Sequence, residues 1–127
     1  MIQTLLVFLG GGLGAAGRHG VNIAAAKVFG AGFPAGTMLI NIAGSFAMGL
    51  AAAWFAFRAG SELSQHARLF LTTGILGGFT TFSAFSLDAA LLWERGETFA
   101  AATYVLGSVI LSILGLFAGL ALVRSLS

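Results

Sequence analysis

Long charge-free apolar stretches alternate with short polar or glycine-rich breaks along this chain. A helix needs about 20 mostly apolar residues to cross a hydrocarbon core of roughly 30 Å. Four stretches reach that length: Met1 to Gly17, carried past Arg18 by the apolar Val21 to Ala26, then Val28 to Phe57, Leu69 to Leu87 and Thr98 to Val123. They predict helical spans near 3–26, 36–57, 68–92 and 99–123. Between them lie the breaker cluster Gly30-Ala31-Gly32-Phe33-Pro34, the polar segment 59–67 and the charged turn Glu94-Arg95-Gly96-Glu97. Backbone amides in lipid must be satisfied within the segment, which leaves helices. The first stretch has no basic region ahead of its apolar run and no evident cleavage site, so it reads as a mature helix and not a signal peptide.

Composition strengthens the membrane reading. Of 127 residues 58% are apolar and only 8% charged, against roughly 25% charged in a soluble domain. Ten charged side chains cannot keep the surface of a soluble enzyme free of large apolar patches. The absence of cysteine excludes disulfides, thiolate metal sites and thiol catalysis. A net charge of +2, spread over scattered cations, is no nucleic-acid footprint. The 19 glycines suit close helix packing in lipid. Gly10 and Gly14, Gly74 and Gly78, Ser45 and Gly49, and Gly115 and Gly119 each stand four apart on one helical face. Four spans enclose little interior, so oligomerisation is expected.

The cations do not choose an orientation. Arg58, Arg68 and Arg124 fall on one side of the four-span topology, and Arg18, Lys27 and Arg95 on the other. That balance predicts insertion both ways up and an antiparallel pair; if Arg18 lies within its helix and does not count, a slight bias remains.

The polar residues inside the spans carry the candidate chemistry, since an unpaired buried polar group costs roughly 2–7 kcal/mol. Thr37, Asn41 and Ser45 form one stripe, and Tyr104, Ser108 and Ser112 another at the same spacing. Such ladders line a wet path or bond to neighbouring helices and their own carbonyls. In the third span, Gly77-Gly78-Phe79-Thr80-Thr81 is poor helix former. The span is either broken there, with freed carbonyls from Gly77 to Thr80 suited to a hard cation, or continuous with a close-contact glycine face. Phe79, Phe82, Phe85 and Ser86 follow at roughly helical period. Phenylalanine ring edges are positive and can face a small anion, although aromatic stripes also simply pack. Asn41 adds an amide donor, while Arg18 and Lys27 either attract anions or anchor the chain at the interface.

Absences narrow the function. No carboxylate sits mid-span, as a proton-coupled cation exporter would need, and Asp88 lies toward the end of its span, placed to pair with a base or face water. His19 and His66 belong to opposite ends of the bundle, so hydrolytic and metal chemistry lack their clusters. A small dual-topology multidrug exporter and a non-transporting assembly protein are the competing classes.

Three segments resemble the Fluc/CrcB family of fluoride channels: Gly11-Gly12-Leu13-Gly14-Ala15-Ala16-Gly17-Arg18, Gly36-Thr37-Met38-Leu39-Ile40-Asn41-Ile42-Ala43-Gly44-Ser45-Phe46 and Gly77-Gly78-Phe79-Thr80-Thr81-Phe82-Ser83-Ala84-Phe85. His19, Ala84 and Asp88 depart from the residues common in that family, where an aromatic, a hydroxyl and a longer acid occur. The resemblance implies an all-α membrane protein of four transmembrane helices, broken in the third, forming one domain over 1–127 and an antiparallel dual-topology homodimer. It implies passive, selective fluoride export across the bacterial inner membrane, with no enzymatic activity and no nucleic-acid partner. It also implies a structural sodium ion held by the backbone carbonyls of Gly77 and Thr80 of both subunits. Phe82 and Phe85 match the ring-edge contacts, Asn41 the amide donor, Thr81 a pathway hydroxyl, and Arg18 a vestibule cation. Tyr104, Ser108 and Ser112 match the polar track, beside Thr37.

Overall fold

In the computed structural model, which describes residues 1–57 and 61–126, the chain is helical from end to end. Arg58, one of the tallied cations, lies outside the described residues. The elements are α1 (Ile2–Phe29), α2 (Ala35–Ala56), α3 (Glu62–Arg68), a π-helical stretch (Leu69–Leu76), α4 (Gly77–Phe79), α5 (Phe82–Glu94) and α6 (Thr98–Leu126). No strand occurs among the described residues. Three apolar stretches are long enough to cross a membrane: Ala35–Ala56, the interrupted run Glu62–Glu94, and Thr98–Leu126. With 28 residues, α1 has the length as well. Its glycines, Gln3, Arg18, His19, Asn22 and Lys27 dilute its hydropathy.

The third span begins earlier than its charge pattern suggested. Part of the expected polar connection, Glu62–Arg68, is helical because Ser61 caps it, its hydroxyl accepting from Ser64 N at 2.9 Å. Glu62 in the first turn and His66 and Arg68 in the last complement the helix dipole. At the other ends, Gly30 and Gly96 take φ of +77° and +80°, letting the chain reverse after α1 and α5.

Glycine sets how the helices meet. A Cβ on Gly10 would come within 2.6 Å of the Phe70 carbonyl, and one on Gly14 would overlap the Ile75 carbonyl. Gly78 faces Gly11 backbone to backbone. These positions seat α1 directly on the π-helical stretch and α4. Gly49 meets the Leu116 carbonyl and Gly119 the Phe46 carbonyl, which brings α2 and α6 equally close. All four small-residue faces in the sequence therefore supply a contact at backbone distance, although Gly115 itself keeps ordinary spacing, 3.5 Å from the Ile42 carbonyl. Overpacking of this kind costs about 1–3 kcal/mol or more. Gly49→Val is accordingly expected to cost at least that, seen as a lower melting temperature and loss of the folded peak on size exclusion in detergent.

Phe85, Leu92, Ala101 and Tyr104 form a buried cluster and pack with Phe33, Met38, Ala89 and Val105, while Ile40 and Leu76 bury apart from it. Most other large apolar residues, including Leu106, Ile110, Leu114 and Phe117 of α6, are exposed. In lipid such faces are stable against acyl chains or another helix bundle.

Candidate functional site

The third span breaks at Thr80 and Thr81, whose backbones are extended (φ, ψ of −80°, 155° and −152°, 120°). Gly77 stays helical at −63°, −38°. The interruption is thus narrower than the expected stretch from Gly77, and Gly78 serves the contact with α1 instead of loosening the chain. Every neighbour compensates for the break. Thr80 donates to the Leu76 carbonyl from both its backbone N–H and its hydroxyl, each at 3.0 Å. The Thr81 hydroxyl caps α5, accepting from Ala84 N at 3.1 Å. Ser83 Oγ lies 3.3 Å from that hydroxyl.

Asn41 closes the gap from α2. Its Nδ2 donates to the Thr81 carbonyl at 3.0 Å and its Oδ1 accepts from Thr81 N at 2.8 Å, so the side-chain amide pairs with the broken backbone as another strand would. This leaves Asn41 one amide hydrogen for anything else. Arg18 reaches the same region from α1, its Nη1 donating to the Gly78 carbonyl at 3.0 Å. The extended backbone of Thr80 takes its carbonyl out of the helix at the break. Gly44 lets α2 approach so closely because a Cβ there would overlap Thr80 Cγ2.

Beside the break lies an open groove of about 320 Å³, walled by Asn41, Ser45, Thr80 and Thr81 on one side and by Ser108 and Ser112 on the other. Phe82 and Phe85 form its aromatic flank. The Ser108 and Ser112 hydroxyls are buried and have no hydrogen-bond partner among the described residues, a costly arrangement for groups that easily bond to their own helix. Phe82, 77% exposed, leads inward to Phe85 at a ring distance of 5.5 Å, and Phe85 leads to the fully buried Tyr104 at 5.2 Å. Phe33 then meets Tyr104 edge-on at 5.6 Å and 87°. Tyr104 donates to Asp88 Oδ2 at 3.2 Å.

Seven predicted site residues, Asn41, Thr80, Thr81, Phe82, Phe85, Ser108 and Ser112, line the groove. Tyr104 and the buried Thr37 lie beyond Phe85. Arg18 and Gly77 do not line the groove, and Arg18 is spent partly on Gly78. Ser45, four residues after Asn41 on the same polar stripe, lines the groove as well. Asp88, open to pairing with a base or facing water, instead accepts from the Tyr104 phenol; its position three after Phe85 puts both on one face. Nothing local marked Phe33 or Asn22.

A membrane-length apolar run broken in its middle, beside a groove of orphan hydroxyls and aromatic edges, defines an ion-pathway membrane protein. A family model described as "CrcB-like protein, Camphor Resistance (CrcB)" matches residues 5–120, and the chain belongs to this CrcB family. It is 64% identical over 123 residues to a "Fluoride-specific ion channel FluC" of Rhodopseudomonas palustris (strain BisB5), covering 97% of this chain and 98% of the relative. A protein of the same description from Methylobacterium nodulans is 65% identical over 124 residues, covering 98% of each. Another from Paracoccus denitrificans is 57% identical over 122 residues, covering 96% of this chain and 94% of the relative.

Proposed function

We propose that this protein is a fluoride-selective passive channel of the bacterial inner membrane that lets fluoride leave the cytoplasm and so protects against its toxicity. The observation that carries this reading is the pair of buried, unpartnered hydroxyls of Ser108 and Ser112 facing Asn41, Phe82 and Phe85 across the groove. Fluoride is small and strongly hydrated, and a bare charge in an apolar interior costs on the order of tens of kcal/mol. It therefore moves only where each shed water is replaced. The free Asn41 amide hydrogen and the two serine hydroxyls supply hydrogen bonds, and the edges of Phe82 and Phe85 supply weaker positive contacts. The Tyr104 and Thr37 hydroxyls continue the path, and Thr81 borders it at the break. Arg18 contributes positive charge near the α1 side of the break, where it attracts anions to a vestibule.

Four transmembrane spans, with α1 as the first, and two copies running antiparallel complete the assembly. The equal division of cations between the two sides supports both orientations, and the open flank of the groove with its exposed Phe82 supports a second copy as the missing wall. A sodium ion suits the break, because a hard cation takes carbonyl oxygens and the Gly77 and Thr80 carbonyls flank the point where the helix is interrupted. Two per chain are too few for a hard cation, and two copies double them. Bound there, sodium supplies positive charge that offsets part of the cost of a nearby anion.

Removing the orphan hydroxyls gives a test that separates transport from folding. The double variant Ser108→Ala, Ser112→Ala loses no hydrogen bond among the described residues, so its melting temperature should stay level or rise. Its fluoride release should fall about tenfold or more, because losing one hydrogen-bonding step on the order of 1.5 kcal/mol is worth about tenfold in rate. The reading itself is tested with purified protein in liposomes, by following fluoride release with an electrode against chloride-loaded controls. Fast fluoride release without chloride release is expected; silence from folded protein would sink the channel.

A further inference from the structure

A second cavity, of about 270 Å³, opens at the turn between α1 and α2. Asn22, Gly36, Thr37 and Asp88 line it, with Phe33 at its edge. It therefore touches the far end of the polar track, since Thr37 and Asp88 are the residues next to Tyr104 beyond Phe85. Asn22 is the unexplained side chain. It is half-buried on α1, and its amide makes no hydrogen bond among the described residues. Its position is nevertheless fixed by packing: a Cβ on Gly36 would stand 2.5 Å from Asn22 Oδ1 and 3.1 Å from Ala25 Cβ, so only glycine lets the amide lie over the first turn of α2. An amide held in place with both donors unspent, in a polar cavity, is placed to bind water or an anion.

The walls of this cavity are braced. Arg95 Nη2 donates to the Gly32 carbonyl at 2.9 Å while its Nε holds Glu97 at 2.8 Å, so the α5–α6 turn pins the loop that carries Phe33. Phe33 in turn stands edge-on against Tyr104. Asp88 is the carboxylate lining the cavity, and its Oδ2 is engaged by the Tyr104 phenol. An anion passing a carboxylate needs a compensating donor nearby, and across this cavity Asn22 supplies it.

We propose that this cavity is the second mouth of the anion path and that Asn22 is a pathway residue in it, exchanging fluoride between bulk water and the Thr37–Tyr104 end of the track. The inference rests on the channel reading, and its test keeps the two apart. The chain has no cysteine, so single thiols can be introduced without background. Asn22→Cys should release fluoride more slowly than the unmodified protein, should react with a membrane-impermeant, negatively charged methanethiosulfonate added to both sides, and should lose at least a further tenfold in release once modified. Leu13→Cys, on the exposed apolar face of α1, should neither react nor change. If Asn22→Cys does not fold, Ala26→Cys on the same cavity wall takes its place. A thiol at either site that stays unreactive, or reacts without altering release, overturns the proposal while unmodified protein still conducts. Failure of the unmodified protein to release fluoride removes the channel reading and this mouth with it.

Discussion

Asn41→Asp is expected to lose about a hundredfold or more in fluoride release while the protein remains folded. The substitution changes little in shape and much in charge. Asn41 both donates to and accepts from the Thr81 peptide, at 3.0 and 2.8 Å, and an ionised Asp keeps only the accepting half. Its second oxygen would then face the Thr81 carbonyl, acceptor against acceptor. A fixed negative charge on the path also repels the permeant ion, by about 4 kcal/mol at ~4 Å and an effective dielectric of ~20. That is roughly a thousandfold in rate, so the stated loss is conservative. Asn41→Leu separates the effects, since it removes the donor without adding charge; its release should be low but higher than that of Asn41→Asp. The measurement is electrode-monitored efflux, with size exclusion to verify folding. Equal release from wild type and Asn41→Asp would place the anion path elsewhere.

Phe82→Ile is expected to bring fluoride release close to the leak of empty liposomes, for a different reason. Phe82 is largely exposed in the single chain and touches Phe85 at a tilted 48°, so it contributes little to the fold. Isoleucine fills a similar space but has no ring and no positive edge. Losing stability would be the signature of a packing role; losing release with an unchanged melting temperature is the signature of a pathway contact. Efflux and thermal melts on the same preparation distinguish them.

The sequence determined by itself that the chain is helical and belongs in lipid, because the length and polarity of uncharged stretches are dictated by bilayer thickness and by the need to satisfy backbone amides locally. It also marked where small residues recur every fourth position and where polar stripes run along α2 and α6, since both follow from helical period alone. Most of the candidate groove was therefore legible: Asn41, Ser108 and Ser112 stand out as polar groups in apolar spans, and Phe82 and Phe85 as aromatics after a weak helical segment.

Tertiary structure decided the rest. The segment from Gly77 to Thr81 read as a weak point of the span, and within it the backbone departs from helix only at Thr80 and Thr81. A break needs partners for the groups it frees, and those partners come from residues distant in sequence: Asn41, forty positions away, for Thr81, and Arg18, sixty away, for Gly78. Glycine alone permits an irregular backbone; it does not stabilise one. The same holds for Asp88, whose pairing with Tyr104 depends on how α5 lies against α6, and for Asn22, which is held over α2 because Gly36 leaves room. Helical period assigns a residue to a face, and only the approach of another helix decides what that face meets.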